Sequence, residues 1–148
     1  MRTEVVDDRP VGLWRRLAAA LYDSLLVLAL LMLGTAALLP LTGGEALYFD
    51  NVWIETAFRL YLLALAFLFF GWFWTHGGQT LGMRAWKIRV LREDGRPLHW
   101  PDALRRFLWA LAGWLPAGLG VFWCLFDAHD RTFQDRMSHT RLVRVIHG

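Results

Sequence analysis

The amino-acid sequence predicts an all-α membrane protein with three hydrophobic spans, and two observations support this fold class. The chain has 148 residues, of which 56% are hydrophobic and 20% are charged. Soluble domains are on average about 45–50% apolar and about 25% charged, so this chain is unusually apolar. The charges also cluster in a few segments, which leaves long uncharged runs between them. A chain of this length is expected to form one domain.

The first predicted span is the hydrophobic run from Leu17 to Leu39. It has 23 residues and carries a single charge, Asp23. A helix that crosses the hydrocarbon core needs about 20 predominantly apolar residues. Pro40 and the glycines that follow it end this helix. A secretory signal peptide is the alternative interpretation, but its hydrophobic region has only about 7–15 residues.

Two further runs predict the second and third spans. Residues Ile54 to Trp74 form the second, and Phe107 to Phe126 form a third run of 20 uncharged residues. Pro116, which has glycines on both sides, must kink or break the third run. We favour a single kinked crossing, because a run of 20 residues makes about 30 Å of helix, enough to cross once but little for crossing twice. A re-entrant hairpin is the alternative.

The charges in the loops predict the orientation of the chain. Lysine and arginine number four in residues 1–16, none in residues 40–56 and seven in residues 75–106. The positive-inside rule therefore places the N-terminus and the loop after the second span in the cytoplasm of a bacterium, with the chain multi-pass in the inner membrane. The tail has four arginines, and its side depends on how the third run crosses. These flanking charges account for the net charge of +3, so we expect no nucleic-acid partner.

The segments between the spans predict small interfacial elements. Residues Thr80 to Ala85 favour a short helix that lies at the membrane interface. Residues Lys87 to Val90 and Arg141 to Val145 alternate with period two, so we expect two short cytoplasmic strands that could pair. Attraction to anionic lipid is worth about 1 kcal/mol per basic residue near the surface. The candidate lipid contacts are Arg84, Lys87 and Arg89.

Asp23 is the most informative residue of the first span. A charge at the centre of a bilayer costs about 2.5–3.5 kcal/mol on insertion scales, so such a residue normally faces the protein interior and has a partner. Arg16 precedes it by two helical turns on the same face, about 10 Å away along the helix axis. That separation is too large for a contact within one straight helix. We therefore expect Asp23 to meet a charge from another segment.

Residues 16–23, RLAAALYD, resemble the signature of the RDD family of bacterial integral membrane proteins, which is named for one arginine and two aspartates. Similar landmarks follow in the family's order at residues 78–84, 90–95 and 133–140. The resemblance implies that Arg16, Asp23 and Asp135 are the name-giving positions, that residues 12–146 form the transmembrane domain and that residues 1–11 are a short N-terminal tail. Met83 stands where the family often has lysine, and Ser138-His139 replaces a frequent Ala-Gly. The family's biochemical role is largely undefined, although transport of unidentified ligands has been proposed.

The sequence lacks the motifs of the common hydrolases, nucleotide-binding proteins and zinc proteases, so we predict no enzyme and no cofactor. Asp135 and His139 have the spacing of metal ligands but no third ligand, so we predict no metal site. The first functional hypothesis is a membrane assembly or accessory module. In it, Arg16, Asp23, Asp135 and Arg136 form a buried charge network that locks the spans together. The alternative is a transporter that exchanges cations for protons with Asp23 as the titrating group. Three spans are few for a carrier, so either role implies a homo-oligomer or a partner membrane protein.

Overall fold

Two long helices dominate the computed structural model, which describes residues 4–7, 9–43, 50–115, 119–127 and 131–147. Helix α1 extends over Leu13–Ala36 and is followed by a 3₁₀ turn at Leu39–Thr42, and helix α2 extends over Val52–Thr75. Asn51 begins α2, because its side-chain oxygen accepts a hydrogen bond from the Trp53 N–H at 2.9 Å.

The two long helices are antiparallel neighbours. Near one end of the pair, the Tyr61 hydroxyl donates to the Gly34 carbonyl oxygen at 3.1 Å. At the other end, Ala19 of α1 and Trp74 of α2 belong to the same buried cluster. A Cβ atom on Gly34 would lie 2.5 Å from Leu65 Cδ1, so the helices approach closely because glycine has no side chain there.

Large apolar side chains cover the outer faces of α1 and α2. Examples that are more than half exposed are Leu25, Met32, Leu33, Leu60 and Leu68. Monomeric soluble proteins rarely expose contiguous apolar surface of this kind. Within the described residues, the two helical stretches long and apolar enough to cross a membrane are Leu13–Thr42 and Val52–Thr75. These stretches correspond to the first two predicted spans.

The segments outside the long helices form short elements at one end of the pair. Helix α3 is Leu81–Ala85, strand β2 is Ile88–Arg92, helix α4 is Trp100–Trp114 and helix α5 is Leu119–Phe122. A 3₁₀ turn at Trp123–Leu125, helix α6 at Phe133–Met137 and strand β3 at Thr140–His147 follow, and strand β1 at Glu4–Asp7 precedes α1.

The three strands form one antiparallel sheet in the order β1–β3–β2. Val90 of β2 faces Leu142 of β3, and Val6 of β1 faces Val145 of β3. The fold is therefore mostly helical rather than all-α, because two strand patterns and the N-terminal segment combine into a sheet. Residues 1–11 were expected to be a tail, whereas Glu4–Asp7 pair in this sheet and Val11 is buried.

The third hydrophobic run does not form one kinked crossing helix. Helix α4 ends at Trp114, and α5 packs back against it, so that a Cβ atom on Gly120 would lie 2.6 Å from Gly113 Cα. The chain therefore reverses within this run, and the two glycines permit the close approach of its arms. Pro116, to which we assigned the break, lies outside the described residues.

The buried core lies where α1 begins, α2 ends and the sheet packs against them. Its members are Val11, Ala19, Trp74, Met83, Ile88, Val90, Leu98, Ala103 and Phe107. This placement gathers side chains from α1, α2, α3, β2 and α4 around one point. Three of the residues that the sequence analysis singled out, Arg16, Asp23 and Asp135, are also buried.

Candidate functional site

Arg16 points into the protein from the first turn of α1. The residue is 7% exposed, and its Nε donates to the Val11 carbonyl oxygen at 3.0 Å. Its Nη1 donates to Asp135 Oδ2 at 2.6 Å, which joins residues 119 positions apart in the chain. A buried guanidinium needs such a charged partner, because an uncompensated charge in the protein interior is costly. The predicted contact between the first helix and the tail is therefore present.

Asp135 is the centre of this contact and is fully buried. It lies in the first turn of α6, where its Oδ2 also accepts from the Thr132 N–H at 3.2 Å and so caps the helix. Burial by itself raises the pKa of the Asp135 carboxyl, but the guanidinium groups of Arg106 and Arg16 outweigh it and hold that pKa at about 2. Asp135 is therefore ionised at any physiological pH.

Arg106 is the second arginine that contacts Asp135, and it was not among the predicted site residues. Its Nη1 donates to Asp135 Oδ1 and to the Thr140 hydroxyl, the latter at 2.7 Å. Its guanidinium carbon lies 5.2 Å from the centre of the Trp74 ring, within the range of a cation–π interaction. Helical spacing could have identified Arg106 as a buried residue, because it lies three residues after Ala103 on the buried face of α4. We refer to Arg16, Arg106 and Asp135 as the arginine–aspartate cluster.

Arg136, which we predicted in the charge network, lies outside it. Its side chain is 56% exposed and pairs with Asp127 at 3.4 Å. The reason is geometric, because successive residues of a helix point about 100° apart. When Asp135 faces the core, its neighbour Arg136 faces outward.

Asp23 is buried in α1, as expected, but its observed contacts are not charges. It accepts hydrogen bonds from the Thr80 hydroxyl and, at 2.9 Å, from the Gly82 backbone N–H. Within the part of the chain that the structure describes, the expectation of a charged partner from another segment was therefore wrong. A Cβ atom on Gly82 would lie 2.4 Å from the Ala19 carbonyl oxygen, so only glycine lets this segment come so close to α1. Asp23 thus anchors α3 against the first long helix.

The three candidate lipid contacts lie around the turn between α3 and β2. Arg84 and Lys87 are exposed, whereas Arg89 is partly buried and donates to the Gln79 side chain at 3.5 Å. Lys87 has a φ of 54°, a left-handed conformation that turns the chain from α3 into β2. Their contact with anionic lipid stays a prediction.

A cavity of about 350 Å³ adjoins the arginine–aspartate cluster. Arg16, Arg106 and Asp23 all line it, so the two aspartate sites are connected through one space. Its apolar wall includes Phe70, Phe107, Ala110 and Trp114. A mostly apolar space with a few convergent polar groups is the usual form of a small-molecule site.

A family model described as the RDD family matches residues 10–139 of the chain. This range contains Arg16, Asp23, Arg106 and Asp135, and hence the whole arginine–aspartate cluster. No curated protein and no solved structure matches the chain significantly.

Proposed function

Because this chain belongs to the RDD family of membrane proteins, we propose that it is a multi-pass protein of the bacterial inner membrane and acts as an assembly or accessory module. The arginine–aspartate cluster carries this proposal. Asp135 joins Arg16 of α1 to Arg106 of α4, and all three side chains are at most 5% exposed. A buried ionic cluster contributes little net stability compared with apolar packing, and in some proteins it specifies a single arrangement of helices.

The proposed orientation has the N-terminus in the cytoplasm. Strand β3 pairs with both β1 and β2, which supports placing the N-terminal segment, the loop after α2 and the tail on one side of the membrane. The positive-inside rule favours the cytoplasm for that side, because it holds most of the arginines. Arg84 and Lys87 are exposed there, where they can contact anionic headgroups.

The apolar faces of α1 and α2 provide the proposed contact surface of the module. Leu28, Leu33 and Leu60 are more than half exposed on these faces. They can contact lipid, a second copy of the chain or a partner membrane protein. The cluster would hold the two helices in the one arrangement that presents this surface.

Transport is the second candidate function, and one observation favours it. Asp23 lines the cavity together with Arg16, and a carboxylate beside a cavity within a membrane span is typical of ion and proton pathways. In this candidate, Asp23 exchanges a proton for a small cation, and an oligomer completes the path. The Thr80 hydroxyl and the Gly82 N–H that hold Asp23 would orient it toward that path.

Asp23→Asn separates the two candidates. We would measure oligomer yield by cross-linking in bacterial membranes, and cation-dependent proton flux with purified protein in liposomes. Glu55→Gln is the control, because it also turns a carboxylate into an amide but in an exposed pair with Arg59. The assembly role predicts that Asp23→Asn lowers the oligomer yield at least twofold and that wild-type flux equals that of empty liposomes. Wild-type flux that Asp23→Asn abolishes, with the oligomer unchanged, would refute the assembly role in favour of transport.

A further inference from the structure

Some residues that line the cavity beside the arginine–aspartate cluster have buried polar atoms without a partner among the described residues. Among the described residues, neither Arg106 Nε nor Trp74 Nε1 has a hydrogen-bond partner, although both atoms are buried. The two residues are 4% and 5% exposed, and both line the cavity. A buried donor without an acceptor is costly, because it has lost its hydrogen bond to water. Such groups are therefore normally satisfied by water or by a ligand.

The two donors lie close together on a positively charged background. The Arg106 guanidinium carbon is 5.2 Å from the centre of the Trp74 ring. Arg16, Arg106 and Asp135 together carry one excess positive charge, since arginine is always protonated in proteins. Asp23 also lines the cavity, but it already accepts hydrogen bonds from Thr80 and Gly82. The polar end of the cavity therefore favours an oxygen-bearing anion over a cation.

Gln134 contributes a further polar group to this lining. Its Oε1 is buried and has no partner among the described residues. An amide can be turned over so that its NH₂ group takes the place of the oxygen. Gln134 can therefore act as a third donor to an anion, or accept from a hydroxyl that the anion carries.

The rest of the cavity suits a single hydrocarbon chain. Its wall is built mainly from aromatic and aliphatic side chains, among them Phe70, Phe107 and Leu111. Its volume of about 350 Å³ lies near the lower end of the range of about 300–1,000 Å³ for ligand pockets, which is small for a lipid with two chains. Leu111 and Trp114 are also exposed at the surface, so the cavity is reachable from outside the protein.

We propose that this cavity binds a single-chain anionic amphiphile. Its carboxylate or phosphate oxygen accepts hydrogen bonds from Arg106 Nε and Trp74 Nε1, and its chain lies against the apolar wall. This site goes beyond the assembly role and does not depend on it, because a module without transport activity can still hold a bound amphiphile.

The test measures saturable binding of radiolabelled decanoate to the protein in phosphatidylcholine nanodiscs, with empty nanodiscs as background. Decanol has the same chain without the charge, and decyl phosphate presents the other oxyanion. We expect decanoate or decyl phosphate to bind at least tenfold more tightly than decanol. Equal binding of all three amphiphiles, or binding no greater than in empty nanodiscs, overturns the proposal.

Matched variants locate the site. Trp74→Phe removes one donor and keeps an aromatic ring, and we expect about tenfold weaker binding, which corresponds to about 1.4 kcal/mol. Trp72→Phe is the control on the same helix, because Trp72 is 56% exposed, and it should bind normally. Ala110→Phe fills the cavity and should abolish binding. If Ala110→Phe does not fold, the two tryptophan variants still decide, and equal affinities for both overturn the proposal.

A final arm identifies the source of the anion. Nanodiscs that contain lysophosphatidylglycerol, an anionic lipid with one chain, are compared with nanodiscs of phosphatidylcholine alone. Competition by lysophosphatidylglycerol supports the site with a membrane lipid as the source of its oxyanion. Unchanged decanoate binding supports the site with a free amphiphile as its ligand.

Discussion

Replacing Asp135 with asparagine removes a negative charge that two buried arginines share. The pKa of Asp135 falls from 3.8 to about 2 in the folded protein. Protonating the carboxyl therefore lowers the free energy of unfolding by about 2 kcal/mol, at 1.36 kcal/mol per pKa unit. The amide costs more than a proton does, because its NH₂ group faces a guanidinium that also only donates. Breaking a buried ion pair by removing one partner typically costs about 3–5 kcal/mol. We expect Asp135→Asn to lower the free energy of unfolding by that amount.

The assay is denaturant-induced unfolding in mixed micelles, followed by tryptophan fluorescence. Asp94→Asn is the matched control, because Asp94 is 44% exposed and pairs with Arg92 at 3.5 Å on the surface. Exposed pairs are worth about 0–1 kcal/mol, so this variant should unfold almost like the wild type. If Asp135→Asn costs less than 1 kcal/mol, the cluster does not hold α1, α4 and α6 together.

Two arginine variants check which charges belong to the cluster. Arg106→Gln contacts the same carboxylate, so combining it with Asp135→Asn should cost at least about 1 kcal/mol less than the sum of the single changes. Arg136→Gln changes a side chain that is 56% exposed, and its effect should add to that of Asp135→Asn. Coupling of equal size for both arginines would contradict the structure.

Two further predictions concern Asp135 and Gly82. Because the folded-state pKa of Asp135 is lowered to about 2, its stabilisation is fully present above about pH 5 and is lost as the pH falls toward 2. The free energy of unfolding, measured at pH 7, 4 and 2.5, should therefore fall by about 2 kcal/mol over this range. This pH-dependent decrease should be missing in Asp135→Asn. Gly82→Ala would place a Cβ atom 2.4 Å from the Ala19 carbonyl oxygen and should cost at least about 1–3 kcal/mol in the same assay. Gly12→Ala, which meets nothing within 4 Å, is the control, and an equal effect of both would show that the contact with α1 is not tight.

Residue type and spacing predicted part of the site, and the family resemblance supplied the rest. Asp23 was singled out because a charge within an apolar run is costly, and Arg16 because it lies two turns earlier on the same face. Asp135 was implied by the resemblance to the RDD family, and the structure buries all three residues. Two sets of partners were not predicted. These are Arg106, which contacts Asp135, and the hydroxyl and backbone N–H that hold Asp23. Arg106 was counted with the loop charges that orient the chain, although its position on the buried face of α4 could have identified it.

The partner of Asp23 illustrates what residue patterns leave open. One of its two donors is the Gly82 backbone N–H, and every residue except proline carries such a group. No residue type reveals which N–H will meet a given carboxylate. The close approach of Gly82 to Ala19 decides it, and that approach depends on how the chain folds after α2.

The prediction that the third hydrophobic run forms one kinked crossing helix was wrong for a related reason. Hydropathy counts apolar residues but does not tell whether they lie in one straight helix. Here α5 turns back on α4 through the contact between Gly113 and Gly120. The reversal between α4 and α5 therefore has two consequences. It brings the tail back to the sheet, and it brings Asp135, the third residue of the family signature, to Arg16.

The two aspartates of the signature hold the fold in different ways, and this difference constrains function. Asp135 is ionised between two guanidinium groups outside the long helices. Asp23 lies within the first long helix, where a hydroxyl and a backbone N–H hold it. A carboxylate with neutral partners can gain a proton without leaving a buried counter-charge behind, whereas Asp135 cannot. If this protein moves protons, Asp23 is therefore the aspartate that titrates, and Asp135 is the fixed charge that keeps α1 in place around it.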